Sequence, residues 1–287
     1  MKKKVHVFFV FLMLAFLTVP SVWAVNITTT GQSVNVPCSG KTEAIVSSSV
    51  TSFKVYDNGG SSGNYSNSCN GSLVIKTSKT GFGWKITGSA TLYDNEGDNL
   101  YIYNYDQAEF ILYTRSSLEN IGMLYSTTGI IEIKFVTDNS YTAAGFDFTI
   151  ESVQLYNVSV TGSSNADPYI KTPFKSDYYD SRYSTFAEGA YLSVYPGQKS
   201  GYIMNAAEVK KSNGTLVKPT IEDGYINFKM PASAVTVTPS VVSKSNPGYF
   251  YMMNGTISYE IPAGVTSFGL VRIYISGEKY YHIHCVA

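Results

Sequence analysis

Ile131-Glu132-Ile133-Lys134-Phe135 alternates apolar and charged side chains residue by residue. Successive side chains of an extended backbone point to opposite faces, so this pattern predicts a half-buried strand. Working outward, the same period recurs on both sides. In Leu100-Tyr-Ile-Tyr-Asn-Tyr105, Leu100, Ile102 and Asn104 share one face, and Tyr101, Tyr103 and Tyr105 share the other. Phe146 and Phe148 share a face within Gly145-Phe-Asp-Phe-Thr-Ile150. Residues 73–77 and 84–86 read as two more strands, and Asn58-Gly59-Gly60 as a tight turn, because Gly tolerates positive φ and Asn-Gly favours hairpins. Residues 106–115 read as strand or helix, with Phe110-Ile-Leu-Tyr-Thr114 fitting either. No other stretch has a convincing helical period. Short strands separated by turn residues predict an all-β fold, an antiparallel sandwich over residues 51–155.

The chain start reads as an export signal over residues 1–24. Lys2-Lys3-Lys4 is a basic head, residues 5–17 are nearly all apolar, and Val22-Trp23-Ala24 has the small-x-small form of a cleavage site. The apolar run is shorter than the ~20 residues a membrane span needs, and no later stretch approaches that length. Removing residues 1–24 takes three Lys and no acid from 21 basic and 21 acidic residues, leaving a net charge of −3. A mildly acidic chain lacks the basic footprint that nucleic acid requires. Charged residues make up 15% of the chain and Tyr alone numbers 24, a balance that suits an exported β protein.

Cys38, Cys69 and Cys285 are an odd set for an oxidising compartment. Cys38 and Cys69 are the natural pair, and a loop of that length is worth roughly 3–4 kcal/mol when bonded. Two reduced, packed cysteines are the alternative reading.

Residues 25–50 are polar and Thr/Ser/Val-rich, and read as an extended lead-in with one strand at 33–36. A second β module is expected over residues 156–243, beginning at the alternating Tyr156-Asn-Val-Ser-Val160. Residues 244–287 form a short β tail. Its Val265-Thr-Ser-Phe268 repeats Val50-Thr-Ser-Phe53 at the head of the first module. The tail reads either as strands added to the second module or as the opening of an incomplete one.

Gly63-Asn-Tyr65, Asp98-Asn-Leu-Tyr-Ile-Tyr103, Phe135-Val-Thr-Asp138 and Gly145-Phe146 occur in the order found in CUB domains, and residues 51–155 resemble a CUB domain of the bacterial secreted kind. The resemblance implies a jelly-roll-type sandwich and suits a Cys38–Cys69 disulfide. Many CUB domains bind calcium through one upstream Glu and two Asp. Carried over, Asp98 and Asp138 are the two Asp, with Thr137 standing where the family has Ser. The upstream Glu has no direct equivalent; Asp94 is the candidate third ligand, with Glu96 as the other choice. Calcium takes six to eight oxygens, which two acidic loops at one end of a sandwich can supply. Turn Asp residues bonding their own backbone are the plainer reading. In the second module, Gly189-Ala-Tyr-Leu-Ser-Val-Tyr-Pro196 and Met230-Pro-Ala-Ser233 before Val235-Thr-Val-Thr238 resemble the internalin-type B-repeat, a spacer unit of secreted bacterial proteins.

Catalytic signatures are lacking. Beyond the signal the histidines are His282 and His284, both near the end, and the sequence holds no nucleophile elbow, zincin or Walker motif. His282 and His284 share a strand face and can hold a metal with one carboxylate, or be two ordinary surface histidines. Tyr101 and Tyr103, with Tyr105, form a ring row suited to sugars if it faces solvent, or to cross-strand packing if it does not. The expectation is a secreted, non-catalytic adhesion or binding protein recognising an extracellular protein or glycan. The other reading is an accessory region of an extracellular hydrolase or peptidase.

Overall fold

Each alternating run forms a strand, and the apolar side of each strand meets the apolar side of another. The structure is a computed structural model describing residues 23–93, 97–105, 109–171 and 185–243, with the backbone of four later strands between 251 and 286. The fold is all-β, and among the described residues there is no α-helix. No described helix is long and apolar enough to cross a membrane.

The first eleven strands are β1 (Trp23–Ile27), β2 (Ser33–Asn35), β3 (Ser39–Val46), β4 (Ser52–Tyr56), β5 (Asn70–Thr77), β6 (Phe82–Thr91), β7 (Asn99–Asn104), β8 (Glu109–Thr114), β9 (Leu124–Tyr125), β10 (Ile130–Val136) and β11 (Gly145–Val160). One sheet runs β1-β3-β5-β10-β7-β8. Facing it are β2, β4, the first part of β11, β6 and β9. Between them Phe53, Trp84, Leu100, Ile131, Ile133, Phe135, Phe146 and Phe148 form one core. Trp84 meets Phe53 edge-on at 5.7 Å, and its indole N–H donates to the Gly129 carbonyl at 3.0 Å. Cys38 and Cys69 are disulfide-bonded, stapling the head of β3 to the head of β5.

The stretch expected to be a lead-in belongs to this sandwich. Ile27, Val34, Val36, Ala44 and Val46 are all in its core. β1, β3 and β5 pair in parallel, while β2 and β4 between them pair in parallel on the other sheet. The chain crosses from sheet to sheet and back, so no hairpin turn announces these strands. β1 also straddles the expected cleavage point, since Trp23 and Ala24 pair with Thr42 and Glu43.

β11 runs 16 residues without interruption. Its first part pairs with β4 and β6, and its last part with β13 (Thr185–Ala187) and β19 (Val235–Ser243). The boundary expected at 155/156 thus falls inside a strand. The reason is local: Tyr156-Asn-Val-Ser-Val160 continues the extended run with no Gly or Pro to punctuate it. The second unit is two-layered. One layer is β12 (Tyr169–Lys171), β14 (Tyr191–Tyr195), β18 (Tyr225–Lys229) and β17 (Thr220–Glu222); the other adds β15 (Tyr202–Lys211) and β16 (Leu216–Val217) to β19 and β11. Val158, Phe186, Leu192, Val194, Ile226, Phe228 and Val237 are in the core between them. In the tail, β20 (Tyr251–Met253) pairs with β21 (Thr256–Ser258), and β22 (Ser267–Ile275) with β23 (Glu278–Val286). His282 and His284 are alternate residues of β23, opposite Val271 and Gly269.

Candidate functional site

Two places in the first sandwich gather the residues that sequence singles out. The first is the loop end where β4 leaves and β11 begins. Asp57, fully buried, follows β4 and closes the turn. Its carboxylate accepts hydrogen bonds from the backbone N–H of Gly59 at 2.8 Å and of Phe146 at 2.9 Å. Burial pushes the Asp57 carboxyl above the usual carboxylate range, and those backbone donors partly oppose the shift. Gly145 has φ of 75°, and a Cβ placed there would lie 1.7 Å from Asp57 Oδ2.

Beside this lock, the Tyr65 ring packs edge-on to Phe135 at 5.0 Å. Its hydroxyl donates to Asp98 Oδ2 at 2.5 Å and accepts from the Tyr93 N–H at 2.8 Å. Asp98 is buried, and its Oδ1 accepts from the Asp138 N–H at 3.1 Å. Asp138 in turn accepts from the Ser140 N–H at 2.8 Å and lies within 3.1 Å of the Ser140 hydroxyl. A Cβ on Gly97 would fall 2.2 Å from Asp138 Oδ2, so glycine is what lets the Asp98 loop meet the Asp138 loop.

The structure therefore brings Asp98 and Asp138 together; Asp94 and Glu96 lie outside the described residues. Two carboxylates and a serine hydroxyl are hard oxygen donors, and a carboxylate has about four lone-pair sites. The donor chemistry fits calcium. The same oxygens are also held by protein hydrogen bonds, and among the described residues no group of three or more His, Cys, Asp and Glu forms.

Burial, followed by the Asp98 carboxylate, pushes the Tyr65 phenol above its ordinary range. A folded-state pKa above the unfolded value of about 10 means that the unfolded chain loses this proton first. The contribution is complete below pH ~10 and is lost as pH climbs toward the folded value. In an alkaline titration followed by phenolate absorbance, a Tyr65 step is expected only with unfolding, and Tyr65→Phe is expected to remove it.

The second place is the outer face of β7 and β8, at the edge of its sheet. Tyr101 stacks on Tyr113 at 5.0 Å and on Tyr103 at 5.8 Å, and Tyr103 meets Phe110 at 4.7 Å. Phe110 is 39% exposed and Tyr113 45% exposed, while Tyr101 and Tyr103 are half-buried. Burial, then Tyr101 and Glu132, push the Tyr103 phenol up. A polar border surrounds the rings. Asn99 Oδ1 accepts from the Tyr113 hydroxyl at 3.2 Å and from Arg115 Nε at 3.0 Å. Lys41 lies 4.8 Å from the centroid of the Tyr105 ring and 3.3 Å from Glu132.

Phe110 and Tyr113 are absent from the sequence-based site because they are three residues apart, a spacing that puts residues on opposite faces of a regular strand. The register shifts between Ile102 and Tyr103, so that Tyr103 faces Phe110, Ile102 faces Leu112, and Ile111 is extra. A bulge of one residue returns Phe110 and Tyr113 to one face. The same spacing is what made this segment resemble a helix.

No family model matches the sequence, and no curated protein matches it. Among solved structures the chain is similar to the full extracellular region of zebrafish Gpr126/Adgrg6, with TM-score 0.31 and 11% identity. The match covers 83% of this chain and 30% of that one. At that TM-score the likeness carries no argument about this chain.

Proposed function

We propose that this protein is an extracellular, non-catalytic binding protein that recognises a glycan or protein at a cell surface through the aromatic face of β7 and β8. The observation that carries the reading is the run of four contacting rings, Tyr101, Tyr103, Phe110 and Tyr113, on one outer face of a sheet edge. Clustered aromatic rings with a polar rim are the usual energetic centre of a recognition surface. In the same reading the first sandwich is a CUB-like module, with Asp98, Asp138 and a third ligand from the Asp94 turn holding calcium that orders the loop end. The second unit is a B-repeat-like spacer. Supporting the first is the convergence of the Asp98 and Asp138 loops; supporting the second is the buried Met230 ahead of the Val235 strand.

Binding to a panel of cell-surface polysaccharides and to intact cells tests the face. Tyr113→Ala is expected to weaken binding about tenfold or more, as truncating a central aromatic anchor does. Its melting temperature should stay close to that of the parent, because the ring is partly exposed. Unchanged binding in both Tyr113→Ala and Tyr101→Ala sinks the proposal.

A further inference from the structure

Where β9 meets the second unit there is a cavity of about 380 Å³. Met123, Tyr125 and Thr127 line it from the first sandwich, and Phe186, Ala190 and Tyr191 from the second unit. Lys229 of β18 also lines it, across the ladder from Tyr191. The volume is at the lower end of the roughly 300–1,000 Å³ of small-molecule sites, and apolar walls with a few polar groups are typical of them.

Two observations say what would fit. The walls are mostly aromatic and aliphatic, so the occupant has an apolar body. Lys229 is the one Lys, Arg, Asp or Glu among the lining residues, and Glu188, in the adjoining turn, is exposed and does not line the cavity. Among the described residues Lys229 forms no ion pair.

We infer that this cavity is a binding site for a small amphipathic anion, an aromatic or aliphatic body carrying one carboxylate. The body lies against Met123, Tyr125, Phe186 and Tyr191, and the carboxylate pairs with Lys229. The site is separate from the β7–β8 face and does not depend on it.

Naphthalene-2-carboxylate and its neutral counterpart naphthalen-2-ylmethanol are suitable probes, titrated into the protein by calorimetry. Methionine-methyl NMR in parallel locates the site. Saturable binding of one carboxylate per chain is expected, with the Met123 methyl resonance, assigned through Met123→Leu, shifting most. Lys229→Gln changes an exposed side chain, and is expected to weaken the carboxylate about tenfold or more while leaving the alcohol unchanged. Tyr191→Ala, also at an exposed position, should weaken both probes. Non-saturable binding, an unmoved Met123 methyl, or equal effects of Lys229→Gln on both probes would each overturn the assignment.

Discussion

Gly145→Ala is expected to destabilise the protein by about 3–5 kcal/mol, combining the cost of a left-handed backbone with the loss of a buried hydrogen bond accepted by a carboxylate. Gly145 sits at a φ of 75°, where a Cβ collides with the following carbonyl. The larger part of the effect comes from its neighbour. The added methyl would occupy the place of Asp57 Oδ2, so the carboxylate must leave the Phe146 N–H that it now accepts from. Both groups are buried, and neither has water to turn to. For a chain of this size the loss corresponds to roughly 2–4 °C in melting temperature per kcal/mol. Urea unfolding of Gly145→Ala, Asp57→Ala and the double variant checks the mechanism. If the collision with Asp57 carries the effect, the two losses are strongly non-additive, since Asp57→Ala vacates the space the methyl needs. Strict additivity would reduce the effect to backbone strain alone.

Asp98→Ala is expected to lower stability by about 2–4 kcal/mol in the absence of any metal, by stranding one buried and one part-buried donor. The Tyr65 hydroxyl and the Asp138 N–H both lose their acceptor. Where calcium binds as proposed, it adds a second loss. A ligand present at a hundred times its dissociation constant stabilises the native state by about 2.7 kcal/mol. The parent protein is then expected to melt several degrees higher in millimolar calcium than in chelator, and Asp98→Ala to melt at one temperature in both. A parent whose melting does not respond to calcium, alongside an Asp98→Ala that is still destabilised, identifies the loop end as a hydrogen-bonded knot that holds no metal.

What the sequence made legible follows from period and register. The strands at Asn99–Asn104 and Ile130–Val136 are readable because their alternation is strict, with every second side chain buried. Asp98 and Asp138 are readable as a pair only through their place in a family pattern, and the contact rests on Gly97, whose importance shows only in the folded geometry. The strands of residues 23–46 are hidden by parallel pairing, which joins residues distant in sequence and leaves no turn between partners. Asp57 looks like an ordinary turn residue beside Asn58-Gly59-Gly60. Its second partner, Phe146, is 89 residues away. Half the aromatic face was hidden by one inserted residue, Ile111, that breaks the period of two in β8.

The unbroken β11 has a mechanical meaning. Tension along this strand passes through one covalent backbone, flanked by β4 and β6 at one end and by β13 and β19 at the other. Pulling it lengthwise shears many hydrogen bonds at once, instead of peeling them one by one. No loop intervenes at the junction to act as a swivel, so the two units bear load as a single stiff strut.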